Sequence, residues 1–229
     1  MAKYSRVYLG VVLTLTLFAV AMQAQVYTQI HNFDWHKEGA NPNAPALLAQ
    51  GQDGNIYGTL QTQLSTDGSI FFSTPTGVVT DLYDFKGPDG SAPQSGLSLG
   101  SDGNFYGATE WGGGSNVGTV FSYGGGALSS YHAFSDGADG AYPWATPIQA
   151  PDGNVYGVTN NGSNPGEIYR VNPATGAFSI IATAPSSTVA PMILGADGNL
   201  YGTTSKGGVF NEGTVFQLTI TGKVPKLWQ

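Results

Sequence analysis

The chain has 229 residues, of which only 10% are charged, while 34 are Gly, 13 are Pro and none is Cys. A formal charge of −7 without clusters of Lys or Arg excludes nucleic acid and anionic lipid as partners, because neither phosphate layer finds cations here. The missing cysteines exclude disulfide staples, thiolate metal sites and a lipidated N-terminal thiol. A core must therefore come from the 12% aromatic residues and the many β-branched ones, which points to a folded, turn-rich β protein.

The first element is an export signal. Lys3 and Arg6 form a positive head, positions 7–20 are apolar apart from Thr14 and Thr16, and Ala19-Val20-Ala21 or Ala24 supplies small residues for cleavage. An uncleaved anchor is the alternative, but the run is short of the ~20 residues a spanning helix needs. Residues 1–24 are accordingly read as a signal peptide and 25–229 as the mature domain, secreted and not inserted in a membrane after cleavage. Cleavage removes two positive charges and leaves the mature chain at −9.

A fourfold repeat fills the rest. It contains Asp53-Gly54-Asn55-Ile56-Tyr57-Gly58, Asp102-Gly103-Asn104-Phe105-Tyr106-Gly107, Asp152-Gly153-Asn154-Val155-Tyr156-Gly157 and Asp197-Gly198-Asn199-Leu200-Tyr201-Gly202. The four Asp lie 49, 50 and 45 residues apart. A second block follows each: Gly118-Thr119-Val120-Phe121 and Gly213-Thr214-Val215-Phe216, with looser copies at Gly68-Ser69-Ile70-Phe71 and Gly166-Glu167-Ile168-Tyr169. A third block joins Phe85 to Asp89-Gly90 and Pro93, and Phe134 to Asp139-Gly140 and Pro143. Its first copy is degenerate (Phe33, Gly39, Pro42), and the third repeat keeps only Pro191.

Each repeat predicts four short strands, which in the second are 97–100, 104–109, 118–123 and 128–134. Asp-Gly-Asn is hairpin chemistry, because Gly and Asn tolerate positive φ and Asp bonds its own backbone. The neighbours Phe105 and Tyr106 point to opposite faces, as do Ile56/Tyr57, Val155/Tyr156 and Leu200/Tyr201, so each sheet must be covered on both sides. Four-stranded sheets stacked face to face meet that need. The fold class expected is all-β, a β-propeller-like array of about four blades of roughly 45–50 residues, with repeat cores near 45–85, 95–134, 146–183 and 192–229. A β-solenoid is the alternative, with shorter coils than this period.

These three blocks resemble the Gloeo/Verruco (GloVer) tandem repeat of secreted proteins from environmental bacteria, the choice-of-anchor tandem-repeat proteins. The resemblance covers nearly the whole mature chain and implies export and a propeller-like array. It implies no activity and no site residues. Members usually end in an anchoring or sorting segment, and nothing after Thr214 reads as one. Fourth strands are expected at 26–33, 78–85, 128–134, 177–183 and 223–229, five for four copies of the first three. A closed ring would use the N-terminal strand and leave 223–229 redundant, so a fragment of a longer ring is the expectation.

No residues form a catalytic set, and no metal or cofactor is expected. The four Asp-Gly-Asn-apolar-Tyr motifs are assigned to turns. Asp136-Gly137-Ala138-Asp139 lacks the alternating ligands and terminal Glu of a calcium loop. His31, His36 and His132 form no zinc pattern. Glu110, Trp111 and Trp144 have no counterpart in the other repeats, and a carboxylate beside an indole is how sugars are held. Packing of both indoles between blades is the competing reading. The expected function is an exported, non-enzymatic module that binds or displays for polysaccharide or a cell-surface protein. The alternatives are a propeller enzyme of glycosidase or lyase type, which needs two convergent carboxylates, and a purely structural surface array.

Overall fold

The computed structural model describes residues 27–34, 40–42, 48–62, 67–160, 165–184, 186 and 190–220. The export signal, His36, Glu38, Gly39 and the strand expected at 223–229 lie outside these. The described residues form sixteen strands in four antiparallel sheets.

In the first sheet β2 (Ala49–Gln50), β3 (Ile56–Thr62), β4 (Ser69–Ser73) and β5 (Val79–Asp84) follow one another, and β1 (Ala40–Pro42) pairs with the far end of β3. The sequence gives no warning of β1, whose Pro42 sits on a sheet edge, where proline is tolerated. The second sheet is β6 (Ser98–Leu99), β7 (Phe105–Thr109), β8 (Thr119–Gly124) and β9 (Ala127–Ala133). The third is β10 (Ile148–Gln149), β11 (Val155–Val158), β12 (Glu167–Asn172) and β13 (Ala177–Thr183). The fourth is β14 (Ile193–Leu194), β15 (Leu200–Thr204) and β16 (Thr214–Leu218). Residues 27–33, the described part of the fourth strand expected at 26–33, are not in a strand. They lie instead against the first sheet, with His31 Nδ1 3.0 Å from Gly77 C=O and Phe33 edge-on to Phe71.

The apolar doublets do what their alternation predicts. Phe105 packs back against the first sheet with Phe121 and Tyr123, whereas Tyr106 packs forward against Val155, Tyr169 and Val171 of the third. Val155 faces backward and Tyr156 forward, onto Leu200, Phe216 and Leu218 of the fourth sheet. Three core clusters thus sit between sheets one and two, two and three, and three and four. No cluster joins the fourth sheet to the first among the described residues, so the array is propeller-like and not closed. Every four-stranded core carries a β-bulge at the same place, between Ile70 and Phe71, Val120 and Phe121, and Ile168 and Tyr169. The extra residue, Leu82, Tyr131 or Ile181, lies on the fourth strand of its sheet, and the bulge bends that strand beside the aromatic of the third. Tyr169 stands where the other sheets have Phe71, Phe121 and Phe216, and its buried hydroxyl has no partner.

The Asp-Gly-Asn turns repeat to within tenths of an ångström. Asp102 Oδ1 accepts from Asn104 N–H at 3.1 Å, and Oδ2 from Asn104 Nδ2 at 3.1 Å and the Tyr106 hydroxyl at 2.5 Å. Asp53, Asp152 and Asp197 accept the same three bonds from Asn55 and Tyr57, Asn154 and Tyr156, and Asn199 and Tyr201. Gly54, Gly103, Gly153 and Gly198 all take φ between 79° and 83°. The hairpin reading of these residues therefore accounts for every one of their polar groups that the motif contributes. The tyrosine of each motif adds a hydroxyl bond to its Asp that ties the turn to the inter-sheet core.

This latch predicts a stability profile with two flanks. Burial pulls the Asp102 pKa up, but the Tyr106 hydroxyl and the Asn104 donors outweigh it and hold the carboxyl below its usual range. The Tyr201 hydroxyl, followed by Asn199, brings Asp197 down to about 2. Burial, then the bond to Asp152, raises Tyr156 to about 12, and the same causes raise Tyr106 further. The folded carboxylates bind protons more weakly than unfolded ones, so their contribution is present above the ordinary value of 3.8 and is lost as pH falls below it. The folded tyrosines hold protons more tightly, so theirs is present below pH 10 and lost as pH rises from 10 towards 12. Melting temperature against pH should therefore fall on both flanks, and the alkaline fall should shrink in a Tyr106→Phe, Tyr156→Phe double variant. An unchanged alkaline fall in that variant would remove the latch as its cause.

Candidate functional site

Two ends of the sheets differ in chemistry. At one end lie the Asp-Gly-Asn turns, with a cleft of about 520 Å³ between the second and third sheets, lined among others by Asp102, Asn104, Gln149, Asp152 and Asn172. Its polar groups are engaged: both carboxylates serve their own turns, and Gln149 Oε1 accepts from Ser101 N–H at 2.7 Å and its hydroxyl at 2.9 Å. That cleft is a joint between sheets.

The other end carries the loop between β7 and β8 and the connections between sheets. Here the three unmatched residues Glu110, Trp111 and Trp144 meet. Thr109 ends β7, and its hydroxyl donates to Trp111 C=O at 2.8 Å. Trp111 pairs both ways with Ser91 of the preceding connection (N–H to O 3.0 Å, O from N–H 2.8 Å), and Glu110 N–H donates to Ala92 C=O at 3.0 Å. Gly112 N–H donates to Asn116 Oδ1 at 3.0 Å, closing the loop. Gly112 must be glycine: its φ is +86°, and a Cβ would strike Gly87 and Gly90. Gly113 N–H donates to Gly87 C=O at 2.9 Å, so four backbone bonds clamp the loop to its neighbour.

Glu110 is buried, at 8% exposure. Burial raises its pKa, only partly offset by the Trp144 and Trp111 indoles that face it. Trp144 Nε1 is buried beside it without a hydrogen bond of normal geometry. Trp111 is 38% exposed and stands edge-on to Tyr142, with ring centroids 5.0 Å apart. Trp111 therefore reaches solvent at the sheet end. Tyr142 was missed. The signal was available, since Tyr142 occupies the position of Ala92 in the previous copy of the third block, with φ of +53° and +51°.

Asp67, Asp89 and Asp139 at this end are engaged. Asp67 Oδ1 accepts from the Ser91 hydroxyl at 3.0 Å, and Asp89 accepts from Lys86 N–H at 2.8 Å and from the Tyr83 hydroxyl. Asp139, considered for calcium, accepts from His132 Nε2 at 2.9 Å, from Ser135 N–H at 3.0 Å and from the Ser135 hydroxyl at 2.5 Å. His132 also stacks flat on Phe178 of the third sheet at 3.6 Å, so histidine and carboxylate together form a joint between sheets. His31 is not in a strand and lies 3.0 Å from Gly77 C=O.

Similar folds occur among solved structures. TolB from Acinetobacter baumannii aligns at a TM-score of 0.51 and 19% identity, covering 78% of this chain and 42% of that one. A chain of the nidogen/laminin complex aligns at 0.53 and 16%, covering 75% and 63%. A putative 6-phosphogluconolactonase from Bacteroides uniformis aligns at 0.51 and 19%, covering 79% and 52%. The chain spans less than two thirds of each, and at such identities the likeness shows the propeller-like fold alone. No curated protein matches the sequence. The family model of the Gloeobacter/Verrucomicrobia repeat matches residues 10–191, and the chain belongs to that family.

Proposed function

We propose that the protein is an exported, non-enzymatic binding module that holds a polysaccharide at the Glu110–Trp111–Tyr142–Trp144 end of its second sheet. The observation that carries this reading is a buried Glu110 on a clamped loop, faced by the Trp111 indole and by Trp144 Nε1, which makes no hydrogen bond of normal geometry. A sugar ring lays its apolar face on the exposed Trp111 indole, and its hydroxyls donate to Glu110. The other repeats have Gln61, Asn160 and Ser205 at the Glu110 position, so the group is an addition to the repeat and not a part of it. The engagement of Asp67, Asp89 and Asp139 in their own turns supports binding over paired acid–base chemistry, which needs a second free carboxylate across a cleft. Export rests on the pattern of residues 1–24.

The test is titration of the mature protein with cell-wall, capsular and plant polysaccharides by calorimetry. At least one should bind, with Trp111→Ala weakening it ~10-fold or more, about 1.4 kcal/mol, and Glu110→Gln weakening it less. Absence of binding across the panel, or binding indifferent to both substitutions, would overturn the proposal.

A further inference from the structure

The two end sheets each leave uncovered a face that is buried elsewhere in the array. Val215 on β16 is 66% exposed, while its repeat equivalents Ile70, Val120 and Ile168 are 0% exposed, each under the following sheet or its connection. Ile193 on β14 is exposed, while its equivalent Ala49 is buried. At the opposite end Leu48 is 62% exposed, while Leu97 and Met192 at the same repeat position are 1% and 3%. The fourth sheet thus presents an unused forward face and the first sheet an unused backward face.

The first sheet also carries part of what should lie against it. Phe33 stands edge-on to Phe71 with centroids 5.3 Å apart. Phe85 stands in the same way on Phe121 at 5.2 Å, and Phe134 on Tyr169 at 5.4 Å. In those two cases the first ring closes the last strand of the preceding sheet. Residues 27–33 therefore run where a preceding sheet would place its last strand. Behind them is a cavity of about 320 Å³ lined by Leu48, Ile56, Phe71, Val79 and Ile30 among others. At the joint between the first and second sheets the corresponding space holds Tyr57, stacked on Phe105 at 4.1 Å, and Ile70.

We infer that the forward face of the fourth sheet docks onto the backward face of the first sheet of a second copy, head to tail. Tyr201 then takes the place of Tyr57, stacked over the partner's Ile56, and Val215 takes that of Ile70, beside the partner's Phe71. The contact repeats the chemistry of the three internal joints, so the residues needed are already present on both sides. The occupant is another copy because the two uncovered faces are the two complementary halves of the joint that recurs three times within the chain, and the first and fourth sheets share no core cluster among the described residues.

Sedimentation of the full chain tests this. The wild type should associate, as a closed dimer or as a concentration-dependent ladder, and either supports the contact. Val215→Asp and Leu48→Asp should each be monomeric with an unchanged circular dichroism spectrum, because both side chains are exposed in a single copy. Mixing the two variants should restore association, since each retains the face that the other has lost. A monomeric wild type would overturn the inference. So would association that survives either substitution, or a mixture that associates no more than its components.

Discussion

A Gly118→Ala variant is expected to lose about 3 kcal/mol or more of stability, the sum of a backbone penalty and a steric one of ~1–3 kcal/mol each. Gly118 has φ of +107°, and an added Cβ would lie 2.6 Å from Pro143 Cδ and 3.0 Å from Glu110 C=O, with Thr109 C=O closer still. Two of those obstacles are backbone oxygens that cannot rotate away. Gly68 and Gly213, at the same repeat position, have φ of +105° and +108° and meet the same kind of obstacles. Gly125 is the control: its φ is +59° with nothing near the added Cβ, so alanine there should cost only ~1–2 kcal/mol. Urea unfolding of both variants decides the matter. Equal midpoints would mean that close approach at Gly118 has no energetic weight. Because Glu110 C=O is among the obstacles, the same substitution should also displace the Glu110 carboxylate and weaken any ligand that depends on it.

Phe134→Ala should cost about 3–5 kcal/mol, as for other large-to-small changes at well-packed sites. Phe134 is almost fully buried and touches three rings, those of Tyr169 at 5.4 Å, His132 at 5.1 Å and Phe178 at 5.7 Å. Little can collapse into the space, since all three neighbours are held in sheets. The protein contains its own comparison. In the third repeat Ala184 occupies the position of Phe85 and Phe134, its N–H bonding Gly166 C=O as theirs bond Gly68 and Gly118. The joint between the third and fourth sheets is therefore made of smaller groups, with Ala145, Ala150 and Ala184 in its core. Amide exchange should be fastest in β14–β16 of the wild type and rise in β10–β13 of Phe134→Ala. Uniform exchange over the four sheets would contradict this ordering.

The repeat made most of the fold legible. The Asp-Gly-Asn motifs fixed the hairpins because their φ angles and bonds are local, determined within five residues. The apolar doublets announced two-sided burial because side chains alternate along a strand, whatever the surroundings. What stayed hidden depends on distant partners. The pairing of β1 with β3 and the course of residues 27–33 against the first sheet, outside any strand, are decided by which elements lie near, and no local pattern records that. At the candidate site, the departures from the repeat were enough to select Glu110, Trp111 and Trp144. Their convergence followed from the bridge between Ser91 and Trp111, which carries no signature in sequence. Tyr142 was overlooked because its neighbour Pro143 fitted the third block so well that the tyrosine passed as part of the turn.

The alternation of each doublet between two clusters bears on how such a chain changes length. Every repeat brings one complete backward half of a joint and one complete forward half. Duplicating a repeat inside the gene therefore inserts a matched pair of halves and breaks no existing contact, whereas deleting one rejoins halves that already fit. Length is then not specified by any single interface, and natural variants differing by whole repeats should fold as readily as this one. The loops at the sheet ends are outside that rule. A residue such as Trp111, clamped to the repeat before it, loses its setting if a new repeat falls between them, so array size and the site are under separate selection.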